Sequence, residues 1–166
     1  MNFKTLEYFA TELGTRLQQK GWYLVTAESC TGGGVAQAVT AIAGSSAWFD
    51  RGFVTYSNAA KRELLEVCPE TLAKYGAVSE QTVLEMVKGA LAQSQAQVGV
   101  AISGIAGPSG GCPDKPVGTV WIAYAFPDNC YAQHYYFSGD RQSVREQAVK
   151  MALQALLQAD SGGTPL

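Results

Sequence analysis

A three-layer α/β/α sandwich built on a mixed, mostly parallel sheet is the fold class that this 166-residue sequence predicts. Two observations carry the prediction. Short apolar, β-branched runs alternate with stretches of helical periodicity, the pattern of helices laid on both faces of a sheet. Near the carboxyl end, two such runs follow one another across Pro127-Asp-Asn129, a hairpin signal that adds antiparallel pairing to the sheet.

Each element follows in order. Leu6, Phe9, Leu13 and Leu17 recur at three- and four-residue steps, an amphipathic helix that stops before Gly21. Residues 22–27 form a short buried strand, and residues 28–34 turn the chain into a helical stretch at 35–42. Gly44-Ser-Ser46 is a turn, and residues 53–56 read as a second strand. Ser57 and Asn58 are both good N-caps for a helix bearing Lys61, Leu64 and Leu65. Pro69 and Gly76 punctuate a short segment, after which Ser79 caps a helix with Val83, Met86, Val87 and Leu91. Residues 98–103 are a third strand and 104–116 an irregular loop. Residues 117–126 and 131–137 are the hairpin strands. The last helix begins near Gly139-Asp140 and carries Val144, Ala148, Met151, Leu153 and Leu156. Residues 1–160 read as a single domain, and residues 161–166 as a disordered tail.

Composition bounds the chemistry. At 47% hydrophobic and 16% charged residues the chain is globular, and it is long enough to bury a core without disulfides or metal. The formal net charge is -2 and no basic cluster occurs, so nucleic acid is not an expected partner. No apolar run approaches the roughly 18 residues a membrane span needs, and no signal-peptide core opens the chain. No membrane association is expected. Cys30, Cys68, Cys112 and Cys130 are scattered without a C-x-x-C pair, which points to a reduced, cytoplasmic protein without structural zinc.

Three unusual segments fall at strand ends, where such folds place their sites. In the first, Ser29 lies between a strand and a helix, among free backbone N–H groups able to hold an oxyanion or phosphate. Gly32, Gly33 and Gly34 allow close approach to that backbone. Ser29 serves equally well as a plain N-cap, and Cys30 is a rival nucleophile beside it. In the second, Tyr56-Ser-Asn-Ala-Ala-Lys61, a cation in the first helical turn opposes the macrodipole, which depresses a lysine's pKa. That suits a general base, though a solvated surface lysine fits the segment alone. The only histidine, His134, sits in an alternating strand pattern, so Ser-His-Asp catalysis is disfavoured and a serine–lysine variant replaces it. In the third, residues 103–111 hold four glycines and a proline after an apolar strand, either an anion-binding nest or a plain connection. Arg141 and Arg145, at the start of the last helix, can fork a phosphate or carboxylate.

As a set, A-E-S-C-T-G-G at residues 27–33, Y-S-N-x-x-K at 56–61 and G-I-A-G-P-x-G-G at 104–111 resemble the carboxy-terminal domain family of the competence/damage-inducible protein CinA. Gly44-Ser-Ser46, Gly76-Ala-Val-Ser79, Pro116-Val-Gly-Thr119 and Gly139-Asp-Arg141 match as well, and the likeness runs over residues 4–158. Together these motifs are specific where each alone is not.

The stand-alone members of that family are nicotinamide mononucleotide deamidases. The resemblance therefore implies hydrolysis of the nicotinamide amide to nicotinate mononucleotide and ammonia; because the sequence offers no ligand set, no metal and no cofactor are expected. It implies Ser29 as nucleophile, Lys61 as base and Tyr56 as a helper in proton handling. The substrate contacts expected with it are Cys30, Thr31, Gly32 and Gly33 beside the nucleophile, with Asn58 from the second segment. Ser103, Gly104, Gly107, Gly110 and Gly111 from the loop complete them, with the ribose phosphate against that loop and Arg141 or Arg145. N–H groups at the start of the helix after Ser29 are expected to stabilise the oxyanion. Ser103 stands where the family usually has threonine, and Ala43 where it commonly has proline. A homodimer is implied as well, and many relatives carry an additional amino-terminal domain. Two alternatives stay open: an amidase using Cys30, and a non-catalytic nucleotide-binding module.

Overall fold

The computed structural model describes residues 4–160, so the tail expected to be disordered lies outside the described residues. Helix α1 (Leu6–Lys20) is capped by Thr5, whose hydroxyl accepts from the Tyr8 N–H, and it ends at Gly21 in a left-handed conformation. The Trp22 N–H still donates to Leu17 O, which holds that residue to the helix end. Strand β1 (Leu24–Glu28) consequently starts two residues later than the apolar run suggests.

After β1 come α2 (Gly34–Thr40), a 3-10 turn at Ser45–Ala47 and strand β2 (Phe49–Val54). β2 is an edge strand with no fully buried residue, and Asp50 and Arg51 hide its start from any apolar pattern. The expected strand at 53–56 is thus the last part of an earlier one, and Tyr56 lies beyond it. Helices α3 (Asn58–Leu65), α4 (Pro69–Tyr75) and α5 (Glu80–Ala92) follow. The segment between Pro69 and Gly76 is therefore helical, with its proline in the first turn, where no N–H is needed.

Strands β3 (Val98–Gly104), β4 (Thr119–Phe126) and β5 (Asn129–Tyr136) and helix α6 (Arg141–Asp160) complete the chain. Phe126 pairs with Asn129, so the hairpin turn is the two residues Pro127 and Asp128. The sheet order is β2-β1-β3-β4-β5. β2, β1 and β3 are mutually parallel, whereas β4 is antiparallel to both β3 and β5, so four of the five strands run the same way.

Alternate residues of the central strands enter opposite layers. Leu24, Val100, Ile102, Ile122 and Tyr124 pack with Leu13, Val35 and Leu153 of α1, α2 and α6. Val25, Ala27, Ala101 and Ala123 meet Leu65, Val83, Met86 and Val87 of α3 and α5. Small side chains on this second face let α5 sit close, and a Cβ at Gly89 would collide with the Leu65 carbonyl. That contact fixes α3 against α5. From β1 the chain moves first to β2 on one side and later to β3 on the other, so β1 is the topological switch point. Glu28 pairs with Val54 and Ile102, which brings the turns after all three parallel strands to one edge.

Candidate active site

The turn after β1 is built around Ser29. Its N–H donates to Ile102 O of β3 at 2.9 Å, and its own carbonyl accepts from the Gly32 N–H at 3.0 Å. Gly32 and Gly33 then take left-handed conformations, φ 60 and 99, which fold the chain back into α2 and disfavour any side chain. Gly33 is the N-cap of α2 and supplies no side-chain cap.

Lys61 reaches the same point from α3. Ser57 caps that helix, its hydroxyl accepting from the Ala60 N–H, so Asn58 is the first helical residue and Lys61 the fourth. The Lys61 side chain is 1% exposed. Its Nζ lies 2.9 Å from Ser29 Oγ and 2.8 Å from the Thr55 carbonyl. Thr55 is itself tied to β1, its N–H donating to Glu28 O. Among the described residues no carboxylate pairs with Lys61. Burial therefore holds the amine below its ordinary pKa of 10.5, against a smaller opposing effect of Cys30. Desolvation, more than the helix dipole, depresses this lysine.

Ser29 and Lys61 open onto a cavity of about 200 Å³. Cys30, Tyr56, Asn58, Ser103, Gly104 and Arg141 contribute to its wall, with Ala77, Val78 and Ala106 as the apolar part. Ser103 is 1% exposed, the penultimate residue of β3, in the same cavity wall as Ser29. Cys30 is buried, and burial pushes its thiol up to about 11. Tyr56 is 62% exposed, and its Oη accepts from Arg141 Nη2 at 3.0 Å instead of bonding Lys61.

The remaining expected contacts have other partners. The Thr31 hydroxyl donates to Glu28 at 2.7 Å. Gly107, Gly110 and Gly111 lie outside the cavity wall; a Cβ at Gly107 or Gly111 would run into Val117, so these two serve packing in the loop. Arg141 Nη1 donates to Gly107 O at 2.8 Å, joining that loop to Tyr56. Arg145 Nε donates to Cys30 O at 3.0 Å and its Nη2 to Thr31 O at 3.3 Å. A wider cleft of about 780 Å³ runs alongside, walled by Arg141, Arg145, Glu146 and Lys150 of α6, with Leu6 and Val149 as part of its apolar lining. Arg141 faces both spaces.

Sequence reasoning missed Glu28. This carboxylate is fully buried and accepts from Thr31 Oγ1 at 2.7 Å, the Val35 N–H at 2.8 Å and the Ala36 N–H at 3.1 Å. The available signal is the glycine run itself: a helix that starts at Gly33-Gly34 lacks a capping side chain, so another acceptor must serve its first N–H groups. The Gly34 and Gln37 N–H groups bond Thr31 O and Gly33 O. The start of α2 is thus fully occupied, and the expectation that it stabilises an oxyanion is corrected. Among the described residues, the N–H groups in the turn after Ser29 that donate to no other residue are those of Cys30, Thr31 and Gly33, the first two lying nearest the nucleophile in sequence.

His134 lies against Trp121 across the β4–β5 ladder, ring centroids 5.1 Å apart and planes tilted by 52°, and takes no part in the cavity wall. Among the described residues no group of three or more His, Cys, Asp or Glu side chains is arranged to hold a metal ion, and no helix is long and apolar enough to cross a membrane.

A buried serine hydroxyl within hydrogen-bond reach of a buried amine, at the switch point of a sheet covered on both faces, defines the class: an α/β domain with a serine–lysine pair. Residues 6–159 match the CinA C-terminal domain, and the chain belongs to that family. A relative from Enterobacter agglomerans, named nicotinamide-nucleotide amidohydrolase PncC, is 56% identical over 158 residues, covering 95% of this chain and 96% of its own. The protein of the same name from Escherichia coli K12 is 53% identical over 159 residues, with 95% and 96% covered. A crystal structure of a CinA superfamily protein from Klebsiella pneumoniae superposes with a TM-score of 0.92 at 43% identity, covering 96% of this chain and 99% of that one.

Proposed function

We propose that this chain is an amidohydrolase that converts nicotinamide mononucleotide to nicotinate mononucleotide and ammonia in pyridine nucleotide salvage, with Ser29 as nucleophile and Lys61 as general base. The names and high identity of its relatives support the substrate. The 2.9 Å contact between Lys61 Nζ and Ser29 Oγ supports the mechanism.

With Lys61 neutral, one Nζ–H donates to the Thr55 carbonyl, which leaves the lone pair for the Ser29 hydroxyl proton. Ser29 Oγ attacks the carboxamide carbon, and the proton moves to Lys61. The oxyanion is held by the N–H groups of Cys30 and Thr31; one such donor typically contributes about 10²–10³ in rate. Lys61 returns the proton to the leaving nitrogen and ammonia departs. Water, deprotonated by the same amine, then releases the acid from Ser29.

A cavity of about 200 Å³ suits the pyridine carboxamide, with the ribose phosphate passing Arg141 into the wider cleft, where Arg141, Arg145 and Lys150 outnumber Glu146. Ser103 and Asn58 face the carboxamide end. Tyr56 acts through Arg141, holding it at the cavity mouth. Cys30 as nucleophile is disfavoured, because a buried thiol at about 11 carries little thiolate at neutral pH. The proposal includes a cytoplasmic setting and a homodimer; sedimentation of the purified protein at twice the chain mass tests the latter.

Ammonia release from nicotinamide mononucleotide, its riboside and free nicotinamide tests the reading. The expected order of kcat/KM is mononucleotide first, then riboside, then nicotinamide. Equal values remove the phosphate from the account. Saturable binding of the mononucleotide with no ammonia favours the binding module instead.

A further inference from the structure

The turn that carries Ser29 is gripped by two ionisable side chains that no step above uses. Glu28, on the last residue of β1, takes the Thr31 hydroxyl and the Val35 and Ala36 N–H groups. Arg145, one turn into α6, takes the carbonyls of Cys30 and Thr31. Such burial is costly: a carboxylate out of water needs full hydrogen bonding, while a serine or aspartate at the N-cap would close the same helix more cheaply. What the costly arrangement leaves free is informative. The N-cap stays glycine, and the N–H groups of Cys30 and Thr31 donate to no other residue.

Peptide geometry supplies the link. In a planar trans peptide the N–H and C=O point in opposite directions. Arg145 on Cys30 O therefore turns the Thr31 N–H away from α6, and Glu28 on the Thr31 hydroxyl prevents that residue from rotating back. We propose that Glu28 and Arg145 are positioning residues that clamp the Ser29–Gly33 turn and aim the Thr31 N–H at the developing oxyanion, beside the Cys30 N–H, whose peptide is set by the Gly32 N–H on Ser29 O. This proposal rests on the amidohydrolase reading above. It gives Arg145 a duty toward the backbone, distinct from the phosphate contact implied by family likeness.

The test compares Glu28→Gln and Arg145→Lys with the wild type and Ser29→Ala, using ammonia release from nicotinamide mononucleotide. Glutamine puts an NH₂ against donors that a carboxylate accepts, and lysine lacks the planar fork whose separate Nε and Nη2 reach the two carbonyls. Each variant is expected to lose about 10²-fold in kcat with KM within about threefold, the signature of interactions made only in the transition state. The double variant is expected to lose little more than either single one, because both act on one turn. If Glu28→Gln does not fold, judged by circular dichroism, Thr31→Val removes one arm of the clamp and is expected to lower kcat about tenfold with the same split. A rise in KM at unchanged kcat, or kcat within about threefold of wild type, overturns the clamp. Wild-type protein that releases no ammonia sinks the amidohydrolase reading and takes the clamp with it, whereas an active wild type with an unchanged Glu28→Gln sinks the clamp alone.

Discussion

The turn after β1 and the first turn of α3 meet at one edge of the sheet, and each buries an ionisable side chain there. Glu28 in the first is fully provided for, with three donors from its own turn and the following helix. Lys61 in the second has two neutral oxygens and no carboxylate partner among the described residues. Burial is similar and provision is opposite. A buried group with all its hydrogen bonds stiffens the backbone around it, whereas a buried amine without a counter-charge is kept from holding its proton. One region contributes geometry and the other reactivity.

The largest expected effect breaks the reactive half. Ser29→Ala is expected to lower kcat by about 10⁴-fold or more, as loss of a nucleophile does in serine hydrolases, while Cys30→Ala stays within about threefold of wild type. Ammonia-release kinetics on both variants check this. The reverse pattern moves the chemistry to Cys30.

The second effect sharpens the contrast through stability. Lys61→Met should cost about 10²–10⁴ in kcat, the usual worth of a general base. Because the folded pKa of Lys61 is depressed, its contribution to stability is present above the unfolded value and is lost as pH falls through the folded value. The Tm of wild type relative to Lys61→Met is therefore expected to climb as pH rises from neutrality toward 10.5. A Tm difference that stays constant across that window contradicts a depressed lysine.

Which half was legible in the sequence follows the same division. The reactive groups sit in local motifs at strand ends, and the serine, the lysine and the glycine-rich loop all lie where the alternation of elements places a site. Glu28 was invisible because its partners, apart from Thr31, appear only once the chain has turned through Gly33 and started α2. Charge alone offers Arg141 or Arg145 to a phosphate, yet each donates to backbone carbonyl oxygen from another segment, which no spacing along α6 reveals. Tyr56 read as a strand aromatic near the lysine, but β2 ends at Val54, and its hydroxyl goes to Arg141. In the fold, the buried central strands announced themselves as apolar runs. The edge strand β2, with Asp50 and Arg51 inside it, and the short α4, opened by Pro69, did not.

The rate of Ser29 acylation in single turnovers with nicotinamide mononucleotide, followed from about pH 5 to about pH 9, tests the central claim most directly. If the buried amine of Lys61 must be neutral to take the Ser29 proton, the wild-type rate climbs with pH through a single ionisation lying below 10.5, and Lys61→Met loses that dependence. A flat wild-type profile with chemistry limiting, or the same ionisation persisting in Lys61→Met, contradicts the account.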